Sequence, residues 1–112
     1  MNDLNSVYLV GRLTADPKVR STEKGLAFAI FTIENNLFQY DELKKEYIKT
    51  TCFFDIALTG KDNEKVILKL KKGLRIGING RLDQPEVMNK ENQKNRGVGI
   101  IGYTIQILDP SL

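Results

Sequence analysis

Tryptophan and histidine are both absent from this sequence, and cysteine occurs once, at Cys52. Without histidine there is no imidazole to take up a proton near neutral pH or to bind zinc. A single cysteine excludes an internal disulfide and any cysteine-cluster metal site. No cofactor or metal is therefore expected. The acidic residues scatter through turns and polar stretches, so no pair of carboxylates suggests general acid–base chemistry. Gly60-Lys61 lacks the glycine-rich run that a phosphate loop places before its lysine. Together these absences argue against an enzyme. No apolar run approaches the ~18 residues that would span a bilayer. The opening stretch carries Asp3 and no basic segment before its apolar residues, unlike a signal peptide. A cytoplasmic location follows as the expectation.

What is present suits one domain, residues 1–112, with 41% apolar and 28% charged residues. The net charge of +3 permits an anionic partner without demanding one. It is unevenly placed. Between Lys61 and Arg81 the basic residues Lys61, Lys65, Lys69, Lys71, Lys72, Arg75 and Arg81 face only Asp62 and Glu64.

Hydrophobic periodicity predicts an all-β chain with one helix. A first strand, about Asn5 to Thr14, sets Val7, Leu9, Gly11 and Leu13 on one face and ends at Asp16-Pro17. A second, Leu26 to Asn35, is apolar on both faces and should be buried on both sides. In the third, Thr50 to Thr59, Cys52, Phe54, Ile56 and Leu58 share the inward parity, while Phe53 points out. Cys52 then reads as a small buried hydrophobe. Asp62 or Asn63 can cap a helix running through Lys71, with Val66, Ile67 and Leu70 on its apolar side, closed by Gly73. The fourth strand, Leu74 to Leu82, turns Leu74, Ile76, Ile78 and Leu82 inward and Arg75, Asn79 and Arg81 outward; the fifth is about Val98 to Leu108. The polar stretches 36–49 and 83–97 read as two β-hairpin arms. Five strands with a helix between the third and fourth is the order of a five-stranded oligonucleotide-binding (OB) barrel, although an α+β sandwich fits the same pattern.

Five short blocks, in order, resemble the bacterial single-stranded DNA-binding proteins. Val7-Tyr8-Leu9-Val10-Gly11-Arg12-Leu13 followed by Asp16-Pro17-Lys18-Val19-Arg20 is similar to their opening V-x-L-x-G-x-L…D-P-x-x-R. Phe31-Thr32-Ile33, Gly60-Lys61 with Leu70-Lys71-Lys72-Gly73, Ile78-Asn79-Gly80-Arg81-Leu82, and Ile105-Gln106-Ile107-Leu108 resemble the later blocks, so the likeness runs from about Leu4 to Leu108. It implies an OB barrel assembled as a homotetramer, a dimer of dimers, that binds single-stranded DNA without sequence preference in replication, recombination and repair. A dimeric primosome-type interaction module of the same fold is the rival reading, and the helix expected from Asp62 to Lys71 favours the former.

Single-strand binders stack bases on aromatic faces, at ~1–3 kcal/mol per base, and neutralise phosphates along a basic track. Where the family stacks DNA on tryptophan, this chain has Phe53 on the third strand, Gln39 in the first arm between Phe38 and Tyr40, and Val87 after the fourth strand. A phenylalanine site near the end of the third strand is Thr59. Candidate stacking residues are thus Phe53, Tyr40 and Phe38, with Tyr47 divided between stacking and cross-strand pairing. Candidate phosphate ligands are Arg12, Lys49, Arg75 and Arg81, which leave the core parity or lie at an arm base. Arg20 and Lys72 join them from the resemblance. Lys65, Lys69 and Lys71 read as solubilising. The resemblance assigns Tyr8 to subunit contact. The family's acidic C-terminal tail has no counterpart in Asp109-Pro110-Ser111-Leu112, so partners that dock on such a tail are not expected.

Overall fold

In this computed structural model the description covers residues 1–84, 86–88 and 94–109, the strands at 86–88 and 94–96 by their backbone pairing alone. The order is β1 (Val7–Leu13), β2 (Lys18–Ser21), β3 (Ala27–Asp41), β4 (Glu46–Leu58), a 3-10 turn (Lys61–Asn63), α1 (Glu64–Ile67), β5 (Arg75–Asp83), β6 (Glu86–Met88), β7 (Lys94–Arg96) and β8 (Gly99–Ile107). Strands β1, β5, β8, β4 and β3 pair in that order, and β3 returns to β1 through Arg12↔Glu34 and Leu13↔Ile33. The sheet is therefore closed on itself, which removes the exposed edges of an open sheet. One contact in the ring, β4 with β8, is parallel. The core is the inward set that alternation selects, with Ile33, Ile56, Leu58, Ile67 and Ile76 fully buried. Each such side chain contributes about 1.5–3 kcal/mol through burial.

The expected arms form. β3 and β4 stay paired from Ala29↔Leu58 out to Asp41↔Glu46, well past the barrel rim. At the tip the Asp41 carboxylate accepts the N–H groups of Leu43 and Lys44, and Lys45 takes a φ of 51°. The second arm is the β6–β7 ladder, Glu86↔Arg96 to Met88↔Lys94.

Several expectations fail. Cys52 is exposed rather than buried. It lies opposite Asn35, one row beyond Ile33↔Phe54, where the inward face of the arm no longer has barrel beneath it. Leu82 is exposed for a similar reason, near the end of β5 where the chain leaves for the second arm. Strand β3 is not buried on both sides within one chain: Ala29, Phe31 and Ile33 are core, but Ile30 is 44% exposed. β2 is an extra strand, missed because Lys18–Ser21 is four residues long and exposed throughout.

The helix is also much shorter than expected. Neither Asp62 nor Asn63 caps it; the buried Asn63 instead donates its side-chain amide to the carbonyls of Thr59 (2.7 Å) and Tyr103 (2.9 Å). That staple fixes the turn against the barrel end at the expense of the cap. After Ile67 the chain continues in i→i+3 bonds, Lys69 N–H to Val66 and Leu70 N–H to Ile67, which let both Ile67 and Leu70 reach the core. A helix of four residues gives no support for one OB-fold branch over the other.

Candidate nucleic-acid interface

Register decides which side chains share the outer surface. Residues directly opposite each other in an antiparallel ladder point to the same face, with Cβ atoms about 4.5–5.5 Å apart. Along β3 and β4 one face carries the pairs Ile30↔Ala57, Thr32↔Asp55, Glu34↔Phe53, Asn36↔Thr51, Phe38↔Lys49 and Tyr40↔Tyr47. Phe53, Phe38, Tyr40 and Lys49, singled out separately in the sequence, thus stand on one continuous track. Phe53 and Phe38 are 62% and 64% exposed. Tyr47 joins them: its ring meets that of Tyr40 edge to face, with centroids 5.2 Å apart. Gln39, at the resemblance's arm tryptophan, pairs with Ile48 on the reverse face.

The polar pairs on either side of the Phe53 row satisfy one another. Thr32 Oγ1 donates to Asp55 Oδ1 at 2.6 Å, and Thr51 Oγ1 to Asn36 Oδ1 at 2.7 Å.

Arg75, Arg12, Glu34 and Phe53 form one row across β5, β1, β3 and β4. Beside them opens a groove of about 290 Å³ that Arg12, Arg75, Glu34, Asn36 and Phe38 help to line. The Arg12 guanidinium forms no ion pair with Glu34; it donates to the Gly73 carbonyl at 2.9 Å and pairs with Asp109 at 3.5 Å. Lys72 precedes Gly73, so it borders the Arg12 end; its own N–H is held by Asp16.

Four residues along β3 and β4, about 13 Å away, a second row runs Lys18, Ile30, Ala57, Ile101 and Arg81 across β2, β3, β4, β8 and β5. Arg20 shares the face of Lys18, opposite Phe28. Arg81 is paired with Asp83 at 3.1 Å. The candidate cations therefore fall into two groups: Arg12, Arg75, Lys72 and Lys49 toward the first arm, Arg20 and Arg81 toward the other end of the barrel. Val87 lies in β6, and its side chain is outside the described residues.

One aromatic was overlooked. Between Asn79↔Thr104 and Gly80↔Gly102 the register skips, leaving Tyr103 as the extra residue of a bulge, 51% exposed. Its carbonyl and that of Thr59 receive hydrogen bonds from the same Asn63 nitrogen, so Tyr103 stands beside the position where the resemblance has phenylalanine. Alternation with the buried Ile100 and Gly102 was the available signal.

A model of the single-strand binding protein family matches residues 4–108. The chain belongs to that family. Relatives within the single-strand binding protein family include single-stranded DNA-binding protein 1 of Staphylococcus aureus (strain Mu50 / ATCC 700699), 37% identical over 96% of this chain and 67% of its own length. The Halalkalibacterium halodurans single-stranded DNA-binding protein is 34% identical over 96% of this chain and 62% of its own. The chain thus spans about two thirds of these relatives. Among solved structures, a deletion mutant of the Thermus aquaticus single-stranded DNA binding protein superposes with a TM-score of 0.80 at 28% identity, covering 96% of this chain and 51% of that one. Plasmodium falciparum SSB in complex with ssDNA superposes at 0.86 over 97% and 98%, with 24% identity, a likeness of fold. No helix among the described residues is long and apolar enough to cross a membrane.

Proposed function

We propose that this chain binds single-stranded DNA without reading its sequence, covering unpaired strands during replication, recombination and repair, and that it catalyses no reaction. The observation that carries the reading is the outer track of β3 and β4, where the exposed aromatics Phe53, Phe38, Tyr40 and Tyr47 share one face with Lys49. Phe53, Phe38 and Tyr40 are the stacking faces, with Tyr47 completing the arm and Tyr103 serving where Thr59 offers no ring. Lys49, Arg12, Arg75, Arg81, Arg20 and Lys72 meet phosphates. Every base has a π-face, so such a surface tolerates any sequence. It offers no recognition helix for the major groove of a duplex.

The working form in this proposal is a homotetramer, a dimer of dimers, built from single-domain chains. The face of β1, β5 and β8 away from the core supports it. A groove of about 570 Å³ there is lined mainly by apolar atoms and bordered by Tyr8, Val10, Gly77, Thr104 and Gln106, and Tyr8 is 75% exposed. Apolar surface of this kind marks a protein contact.

Titration with labelled dT oligomers and with a duplex of matched length tests the reading. Strong preference for the single strand is expected, and equal affinity for the two forms would overturn it.

A further inference from the structure

Two ion pairs form among the described residues, and both engage arginines assigned above to phosphate binding. The more elaborate centres on Asp109, which follows β8. Its Oδ2 lies 3.5 Å from Arg12 Nη1 and accepts the backbone N–H of Arg75 at 3.0 Å. A guanidinium and a main-chain amide from adjacent strands thus converge on one carboxylate oxygen, the donor set that proteins present to DNA phosphates. The Asp109 side chain is 24% exposed, so the seat it fills opens to solvent. Arg81 is engaged in the same way by Asp83, at 3.1 Å and on the same strand. Glu34, although opposite Arg12 in the ladder, forms neither pair.

We propose that Asp109 and Asp83 act as built-in competitors for DNA phosphates, occupying Arg12 and Arg81 in the free protein and yielding them when a strand arrives. This rests on the single-stranded DNA reading and adds a control on its affinity. A phosphate that displaces Asp109 releases its condensed cation, but the freed carboxylate attracts one in return. Binding at that arginine therefore adds little to the salt dependence. Exposed ion pairs are weak, so the competition tempers binding without preventing it.

Asp109→Asn tests this, because asparagine keeps a carbonyl oxygen for the Arg75 N–H while losing the charge. In dT titrations across a salt series, D109N should bind roughly two- to fivefold tighter than the parent at moderate salt. Its slope of log affinity against log salt should steepen by up to about 0.7, one further phosphate neutralised. In an Arg12→Gln background the same substitution should change neither quantity. D83N, with Arg81→Gln as its background, repeats the test at the second pair should D109N unfold. Binding no tighter than the parent would show that Asp109 merely orients Arg12 or the β8 end, and would overturn the proposal. A gain that survives R12Q would overturn it too, as a general charge effect. A parent that ignores dT sinks the DNA reading itself, whereas a parent that binds dT and is matched by D109N sinks only the competition.

Discussion

Phe53 and Tyr103 both expose their rings by alternation, Phe53 along β4 and Tyr103 after the buried Ile100 and Gly102, at the bulge of β8. On the proposed function both act by stacking, which releases no counterions. Phe53→Ala should therefore weaken dT binding by about 1–3 kcal/mol and leave the salt slope unchanged. Anisotropy of a labelled oligomer over a salt series measures both at once; parental affinity in F53A would mean that the β3–β4 track is not the DNA face. Tyr103→Ala should behave in the same way. A full loss of dT affinity in Y103A with no loss in F53A would place the DNA at the wrong end of the barrel. Arg81→Ala should change the slope little in the parent, because the freed Asp83 takes back a cation, and should make it shallower by up to about 0.7 in a D83N background.

Among the elements, β1 bears the closure of the barrel, since it must pair with β5 along its whole length and bend to meet β3 at Arg12 and Leu13. Gly11 makes that approach possible. A Cβ there would lie 2.6 Å from the Glu34 carbonyl oxygen and 3.2 Å from Ile33 Cδ1. Backbone cannot yield as a flexible side chain can, so Gly11→Ala should destabilise by at least the ~1–3 kcal/mol of an overpacked core. Gly97 provides the contrast, because a methyl group added there would meet nothing within 4 Å. Urea unfolding should show a lowered midpoint for G11A and an essentially parental one for G97A. Matching midpoints in the two variants would mean that β1 and β3 do not meet as closely as the register requires.

For the whole molecule, the outer face of β1, β5 and β8 leaves Tyr8 and Val10 in solvent, and Ile30 on β3 is exposed as well. Apolar area of this extent is what a symmetric assembly would cover. Light scattering at micromolar concentration should give four times the 12.7 kDa chain mass. Two chains would favour the primosome-type module, and a monomer would contradict both. Tyr8→Glu should lower the assembly state by setting a charge in the contact; a Y8E protein of unchanged mass would move the interface elsewhere.

The order of the five barrel strands, the inward alternation that buries Ile33, Ile56, Leu58 and Ile76, and the outward placement of Phe53 could all be read from residue type and spacing, while the short exposed β2 could not. A two-residue period reports the face of a strand wherever that strand covers a core. The sequence by itself also excluded imidazole and cysteine-cluster chemistry, because it has no histidine and a single cysteine. The same period misplaced Cys52 and Leu82, since it cannot tell where a strand runs past the rim and its inner face loses the core. It overstated the helix, because the long-range bonds from Asn63 to Thr59 and Tyr103 compete with capping and are invisible locally. Only the tertiary structure could gather Phe38, Tyr40, Tyr47 and Phe53 onto one track, because the pairing of β3 with β4 sets that register. Only it could show that Arg12 already holds Asp109, a contact between residues nearly a chain length apart that exists because β1 and β8 both flank β5.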